Sequence, residues 1–274
     1  MAMSIRTNIS SLIAQGNLTK TAAELNQSLA RLSSGFRINQ AQDDAAGLAI
    51  SVSLGAQIRS YNQVVRNAND AQNITDTADS SLNETQSILA RLRELASQSA
   101  SSGIVNTERG YIQNEVNALV SEVDRIANST EYNGVSLINA TTALTFQVGI
   151  RDVASNDQIV ITMTSATASS LSLVGLSMST LTGAQGALAT IDGALASVSS
   201  QRATLGAQAN RMASVINTAT QASLSLTSAQ GRIRDVDVAA EISNLTRLQI
   251  QMQVGVAVLA QANQLPQLLL KLLG

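Results

Sequence analysis

Apolar positions along this chain fall into five stretches of helical period separated by short breaks. In the first, Leu18, Ala22, Leu25, Leu29 and Leu32 recur at spacings of four and three. That places one apolar stripe on a helix over 5–33. Ser33-Ser34-Gly35 stops it, and Gly35 suits the left-handed position just past a helix end. A second helix, 44–101, carries Val64, Ala68, Ala71, Thr75, Ala78, Leu82, Thr85, Leu89, Leu92 and Ala96 on a 3.5-residue period. Most of these side chains are small, so a neighbouring backbone can approach closely. Ser101-Ser102-Gly103 ends that helix. A third, 106–129, presents Ile112, Val116, Leu119, Val123 and Ile126 at coiled-coil spacing.

The period then changes to two. Tyr132-Asn133-Gly134 signals a turn. Phe146, Val148 and Ile150, then Ile159, Ile161 and Met163, alternate with polar residues around a polar segment, 151–158. This predicts a β-hairpin within 132–164, with an added strand at 135–138. Residues 165–182 are Ser/Thr-rich and read as a short variable loop.

Helical pattern returns over 184–230. Leu188, Ile191, Leu195, Val198, Arg202, Leu205, Ala209, Met212, Ile216, Ala219, Ser223 and Leu226 keep a strict 3,4 alternation, and ten of the twelve are apolar. Such a helix is a rod of roughly 70 Å at ~1.5 Å per residue. Gly231 reads as its break. A last helix, 235–264, starts near Asp235 or Asp237, and its Val254, Val256, Val258 and Leu259 cover more than one face. A helix apolar on several faces needs partners on several sides.

The order is therefore palindromic: short helix, bend, long helix, β region, long helix, bend, short helix. The expected fold is mainly α. Long antiparallel coiled-coil helices carry a small β-hairpin region, and the two terminal helices pair as a separate inner domain. The expected boundaries are 1–43 and 232–274 for the two halves of that inner domain, and 44–231 for the rod. The terminal pair leaves apolar surface uncovered, which implies interaction with other chains.

Composition sharpens this picture. Of 274 residues, 45% are hydrophobic but only 2% aromatic, with no Trp, two Phe and a single Pro. Cores built on Ala, Leu, Ile and Val suit thin bundles better than a compact globule. Net charge is −2 without long runs of either sign, which gives no support to nucleic-acid binding. Cys and His are both absent. That removes thiol chemistry, the usual zinc and haem ligands and the commonest general base. No cofactor, metal site or enzymatic activity is expected. The N-terminal MAMSIRTNISSLIAQGNL lacks the apolar core of a cleaved signal peptide. Residues 248–270 are uncharged but hold seven Asn or Gln side chains and Pro266, which disfavours membrane insertion.

The polar motifs read structurally. Asp43 and Asp44, like Asp235 and Asp237, sit where a helix starts and are expected as caps rather than acid–base pairs. GAQGALA, 183–189, lacks the Gly-Lys-Ser/Thr of a phosphate loop and reads as a helix start. Arg91 and Leu95 share one helical face. For Leu95 two readings stand, an exposed apolar contact or burial at the edge of the stripe.

RLSSGFRINQAQDDAAGLAIS, 31–51, resembles the N-terminal signature of the bacterial flagellin family. IRDVDVAAEISNLTRLQIQMQVGVAVLAQANQLPQLLLKLLG resembles its C-terminal signature. RNANDAQNITDTADSSLNETQSILARLRELASQSA and EVDRIANSTEYNGVSLIN resemble the family's inner rod domain. Departures are modest: Phe36 stands where Leu is common, Gln40 and Gln42 replace smaller or basic residues, and Arg234 replaces an acid.

The resemblance implies a structural subunit that polymerises with itself into the extracellular flagellar filament for swimming motility. Leu25, Leu29, Leu32, Ile242, Leu245, Met252, Val256 and Leu259 would pack in the filament core. Gly35, Phe36, Ile38, Asp43 and Asp44 would form the connector between shells. It also implies passage through the flagellar type III export apparatus, an export chaperone on the C-terminal helix, and contacts with filament cap and hook-junction proteins. The ends would be disordered when free and fold on assembly. An animal Toll-like flagellin receptor would bind the monomer, with Arg91, Leu95 and Glu115 on its contact positions. Two other readings are a hook–filament junction protein, which has similar ends, and a chemoreceptor-type signalling hairpin. The match at both termini opposes the first, and the central β region opposes the second.

Overall fold

The computed structural model describes residues 7–273, and their side chains through Gln264. Residues 5 and 6 of the expected first helix, and the side chains of 265–270, lie outside this description. The elements run α1 (Ile9–Ser34), α2 (Ala45–Ser99), α3 (Asn106–Ser129), β1 (Glu131–Tyr132), β2 (Val135–Ser136), β3 (Thr142–Gln147), α4 (Ala154–Asp157), β4 (Gln158–Met163), α5 (Leu181–Arg234) and α6 (Val238–Leu273). The fold is mainly α with a small β region. Among the described residues, no helix is long and apolar enough to cross a membrane.

The chain forms two compact units, Gln57–Leu224 and Met1–Ala56 with Ser225–Gly274. The core of the first is the small-residue stripe of α2. All ten of its positions from Val64 to Ala96 are buried, including Thr75 and Thr85. Each of those two hydroxyls donates to the carbonyl four residues back, so neither is left unpaired. On α5 the burial splits by heptad. Ile191, Val198, Leu205, Met212 and Ala219, seven residues apart, are buried, whereas Leu188, Leu195 and Ile216 are only partly so. One position of each heptad lies at the centre of the seam and the other at its flank.

The β region differs in detail from expectation. The strand expected at 146–150 is β3, which starts earlier and ends at Gln147. It pairs antiparallel with β4, Leu144 opposite Ile161 and Phe146 opposite Ile159. Val148 and Ile150 fall in the connection, where α4 forms a single turn. The strand expected at 135–138 is shorter and pairs with β1, Tyr132 opposite Val135. Ile159, Ile161 and Met163 alternate inward with exposed Val160 and Thr162, as a sheet with one covered face requires.

Segment 165–182 is not a free loop. Ala166, Ala168, Leu171, Leu173 and Met178 are buried. The Ala168 N–H donates to Asp124 Oδ1 at 2.7 Å and Gln113 Nε2 donates to the Leu176 carbonyl at 2.9 Å. Apolar side chains spaced among Ser and Thr find cover that composition alone does not reveal. Two helix limits also shift. α5 starts at Leu181 and runs through Gly231 to Arg234, because an interior Gly costs only ~1 kcal/mol and need not stop a helix. α6 continues past 264, since the Leu-rich run after Pro266 has high helix propensity.

In the second unit α1 packs against α6. Asn8 Nδ2 donates to the Ala262 carbonyl at 2.9 Å, and Ser28 Oγ donates to Glu241 Oε1. Asn244 Nδ2 donates to the same carboxylate oxygen at 3.2 Å. These polar contacts fix which turns of the two helices face each other.

Candidate assembly and recognition surfaces

The connector after α1 is closed by hydrogen bonds from both chain ends. Gly35 adopts φ 75°, and its N–H donates to the Arg31 carbonyl at 2.9 Å. A side chain there would meet the left-handed penalty, so Gly is the natural stop. Phe36 then forms an antiparallel bridge with Asp235. The Arg37 N–H donates to the Arg234 carbonyl at 2.6 Å and the Val236 N–H to the Gly35 carbonyl at 3.0 Å. The Arg234 guanidinium lies 4.1 Å from the Phe36 ring centroid, a cation–π contact. Phe36 and Arg234, two of the four positions read from the sequence as departures, thus meet each other. Ile38 is buried.

The paired acids divide their work. Asp44 caps α2, its Oδ1 accepting from the Gly47 N–H at 2.8 Å. Asp43 does not cap that helix. Its Oδ2 accepts from the backbone N–H groups of Asn39 at 3.0 Å and Gln40 at 2.9 Å, and its Oδ1 from Gln27 Nε2 at 2.7 Å. Arg31 lies 3.8 Å away. The Gln40 and Asn39 amides hold the Asp43 carboxyl below the ordinary carboxylate range, against the opposing effect of burial, with Gln27 and Arg31 adding to them. At the other end Asp237 caps α6 through the N–H groups of Ala239 and Ala240. Asp235 instead occupies the bridge to Phe36.

The expected core-packing residues do not fill a closed core within one chain. Leu25, Leu32, Leu245, Met252 and Leu259 are half-buried, while Leu29, Ile242 and Val256 are 44%, 48% and 53% exposed. Ile9, Leu12, Ile13, Ile250, Val254 and Val258 are exposed as well. Two helices can cover only one stripe on each, so the remaining apolar faces stay open.

Arg91 and Glu115 come together on the rod. Arg91 Nη2 lies 2.9 Å from Glu115 Oε1 and its Nη1 lies 3.0 Å from Glu94 Oε2, all well exposed. Glu94 and then Glu115 raise the Arg91 pKa above its ordinary value. Leu95 settles to the second of its two readings. It is 2% exposed in the core and offers no apolar contact to solvent.

Two residues central to the rod escaped sequence reasoning. Arg109, 5% exposed, donates from Nε to the Ser99 carbonyl at 2.9 Å, from Nη2 to the Ser101 carbonyl at 2.8 Å and from Nη1 to Asn106 Oδ1 at 3.0 Å. It supplies donors to carbonyls where α2 ends, at the negative pole of the helix dipole. Arg202 breaks the apolar stripe of α5, reaching Asp79 with Nε at 2.8 Å and Nη2 at 3.2 Å, and Asn83 and Gln86 with Nη1. The stripe's other break, Ser223, donates to Asn62 Oδ1 at 3.0 Å. A polar residue at a seam position was the available signal for both of these, since it calls for a polar partner on the facing helix.

Comparison with known proteins bears on what these surfaces do. The family model for the bacterial flagellin N-terminal helical region matches residues 5–143, and that for the C-terminal helical region matches 188–273. A flagellin of Halalkalibacterium halodurans is 39% identical over 99% of this chain and 100% of its own length. A flagellin of Bacillus subtilis is 37% identical over 99% of this chain and all of its own. Among solved structures, one from Vibrio parahaemolyticus described as a flagellar hook-associated protein aligns with TM-score 0.58 at 12% identity, over 70% of this chain and 100% of that one. That likeness is one of fold.

Proposed function

Because the chain belongs to the bacterial flagellin family, we infer that it is a structural subunit that polymerises with itself into the flagellar filament, with paired α1 and α6 as the filament core. The observation that carries the core assignment is the open apolar surface of that pair, including Leu29, Ile242, Val254, Val256 and Val258. Exposed apolar faces of this extent gain free energy when other copies cover them. The inner domain is assigned to 1–43 with 232–274, and the rod to 44–231. The role is architectural, with no catalysis. Full-length flagellin relatives favour this over a hook–filament junction protein, and the two β-hairpins oppose a signalling hairpin.

The test uses Leu29→Asp and Val256→Asp in the full chain, incubated with short filament seeds and viewed by negative-stain electron microscopy. Wild type elongates the seeds. Each variant keeps the circular dichroism of the monomer but fails to elongate. Normal elongation by both would remove the terminal pair from the core.

The flagellin assignment supports the finer partners as well: export through the flagellar type III apparatus, a chaperone on the C-terminal helix, and the filament cap and hook-junction proteins at its ends. Its place is the extracellular filament. An animal Toll-like flagellin receptor would bind the monomer through the exposed Arg91–Glu115 pair, with Leu95 supporting that face from beneath. In a receptor reporter assay Arg91→Asp lowers the signal. An undiminished response, or an inert wild-type monomer, removes the receptor from the list.

A further inference from the structure

Asn133 is the one asparagine in the sequence that is followed by glycine. We propose that Asn133 is a site of spontaneous covalent modification, deamidation through a cyclic imide, and that the folded hairpin holds this reaction off. Gly134 has no side chain to hinder its backbone nitrogen. Both residues are exposed. In the reaction the Gly134 nitrogen, having lost its proton, attacks Asn133 Cγ. The new N–C bond closes a five-membered imide while the Cγ–Nδ2 bond breaks and ammonia leaves with that proton. Water then opens the ring at either carbonyl, giving aspartate or isoaspartate. No other reactant is needed.

The fold opposes ring closure. Asn133 and Gly134 form the two-residue corner between Tyr132 and Val135, with φ 49° and 77°. Two successive left-handed residues in such a corner make a type I′ turn. In that turn the ψ of its first central residue is about +30°, which turns the Gly134 nitrogen away from Asn133 Cγ. Closure requires ψ to swing to the other side of the map, and that swing breaks the Tyr132–Val135 pairing. The segment behind the corner is anchored. Leu137 and Ile138 are buried, the Leu137 N–H donates to the Thr130 carbonyl at 3.1 Å and the Ala166 N–H to the Ile138 carbonyl at 2.8 Å. Reaction therefore runs through local opening. Isoaspartate, once formed, lengthens the backbone at the corner and adds a charge near Glu131, so the hairpin does not close again in register.

The full-length chain is incubated at mildly alkaline pH, once folded and once in denaturant, and Asn133 is followed by peptide mapping with mass spectrometry. The denatured chain modifies Asn133 faster than any other asparagine. The folded chain is slower by at least about tenfold, as expected when reaction waits on local opening. Val135→Gly, which loosens the second strand without touching the reacting atoms, speeds the folded reaction and leaves the denatured rate unchanged. Equal rates in folded and denatured chain, a faster site elsewhere in the denatured chain, or no effect of Val135→Gly would each overturn the proposal.

Discussion

Replacing Arg109 by Met tests whether α2 is closed by a side chain from α3. Met keeps an apolar stem in the buried space but removes donors from Ser99 and Ser101. The Ser99 residue is 0% exposed, so water cannot readily replace the guanidinium at its carbonyl. Hydrogen bonds from a charged donor contribute about 1.5–3 kcal/mol each. A cation at a helix C-terminus adds a few tenths to 1 kcal/mol, roughly. Against this, Met no longer has to desolvate a cation, which returns part of the loss. The net expectation is a destabilisation of about 2–4 kcal/mol. For a unit of this size that lowers Tm by roughly 5–15 °C. Thermal melts of the full-length monomer by circular dichroism measure the shift. Hydrogen exchange across 96–110 shows whether loss of protection centres there. Arg109→Lys recovers only part, because one ammonium on one stem cannot match the three-way fork. A Met variant melting within about 2 °C of wild type, or full recovery with Lys, would refute the assignment.

Further outcomes follow from the same contacts. Arg202→Ala and Asp79→Ala are expected to couple by about 1 kcal/mol in a double-mutant cycle, since the pair is bidentate but partly exposed; additive effects would contradict a cross-helix link. The Asp43 carboxyl has a lowered folded-state pKa, so its contribution is fully present above the ordinary carboxylate pKa. It is lost as pH falls through the lowered value. The protection factors of the Asn39 and Gln40 amides, each taken against the intrinsic exchange rate at the same pH, should therefore fall on acidification, and Asp43→Asn should flatten that dependence. Gly35→Ala, at φ 75°, should cost about 1 kcal/mol in the α1–α6 unit, read as a lower urea midpoint for that unit's exchange protection.

The long helices and their buried stripes were legible in the sequence because a repeat of 3.5 residues leaves little alternative to a seam. Every α2 stripe position from Val64 to Ala96 is buried. The connector was legible as a stop and a restart, through Gly35 and Asp44. Pattern alone did not separate the two acids: whether Asp43 or Asp44 caps the helix depends on where the loop's amides point. Nor could it place Leu95, which shares a face with Arg91 at the level of helical spacing yet lies in the core. That choice rests on which neighbour covers the edge of the stripe.

What the sequence by itself determined is the class of fold, the helix and hairpin order and the excess of apolar surface at the ends, since each follows from local period and composition. Only the tertiary structure decided that Arg109 closes α2, that Arg202 reaches three side chains on the facing helix, and that 165–178 packs into the core. Those contacts join residues far apart in the chain, and burial there depends on distances that no local pattern encodes.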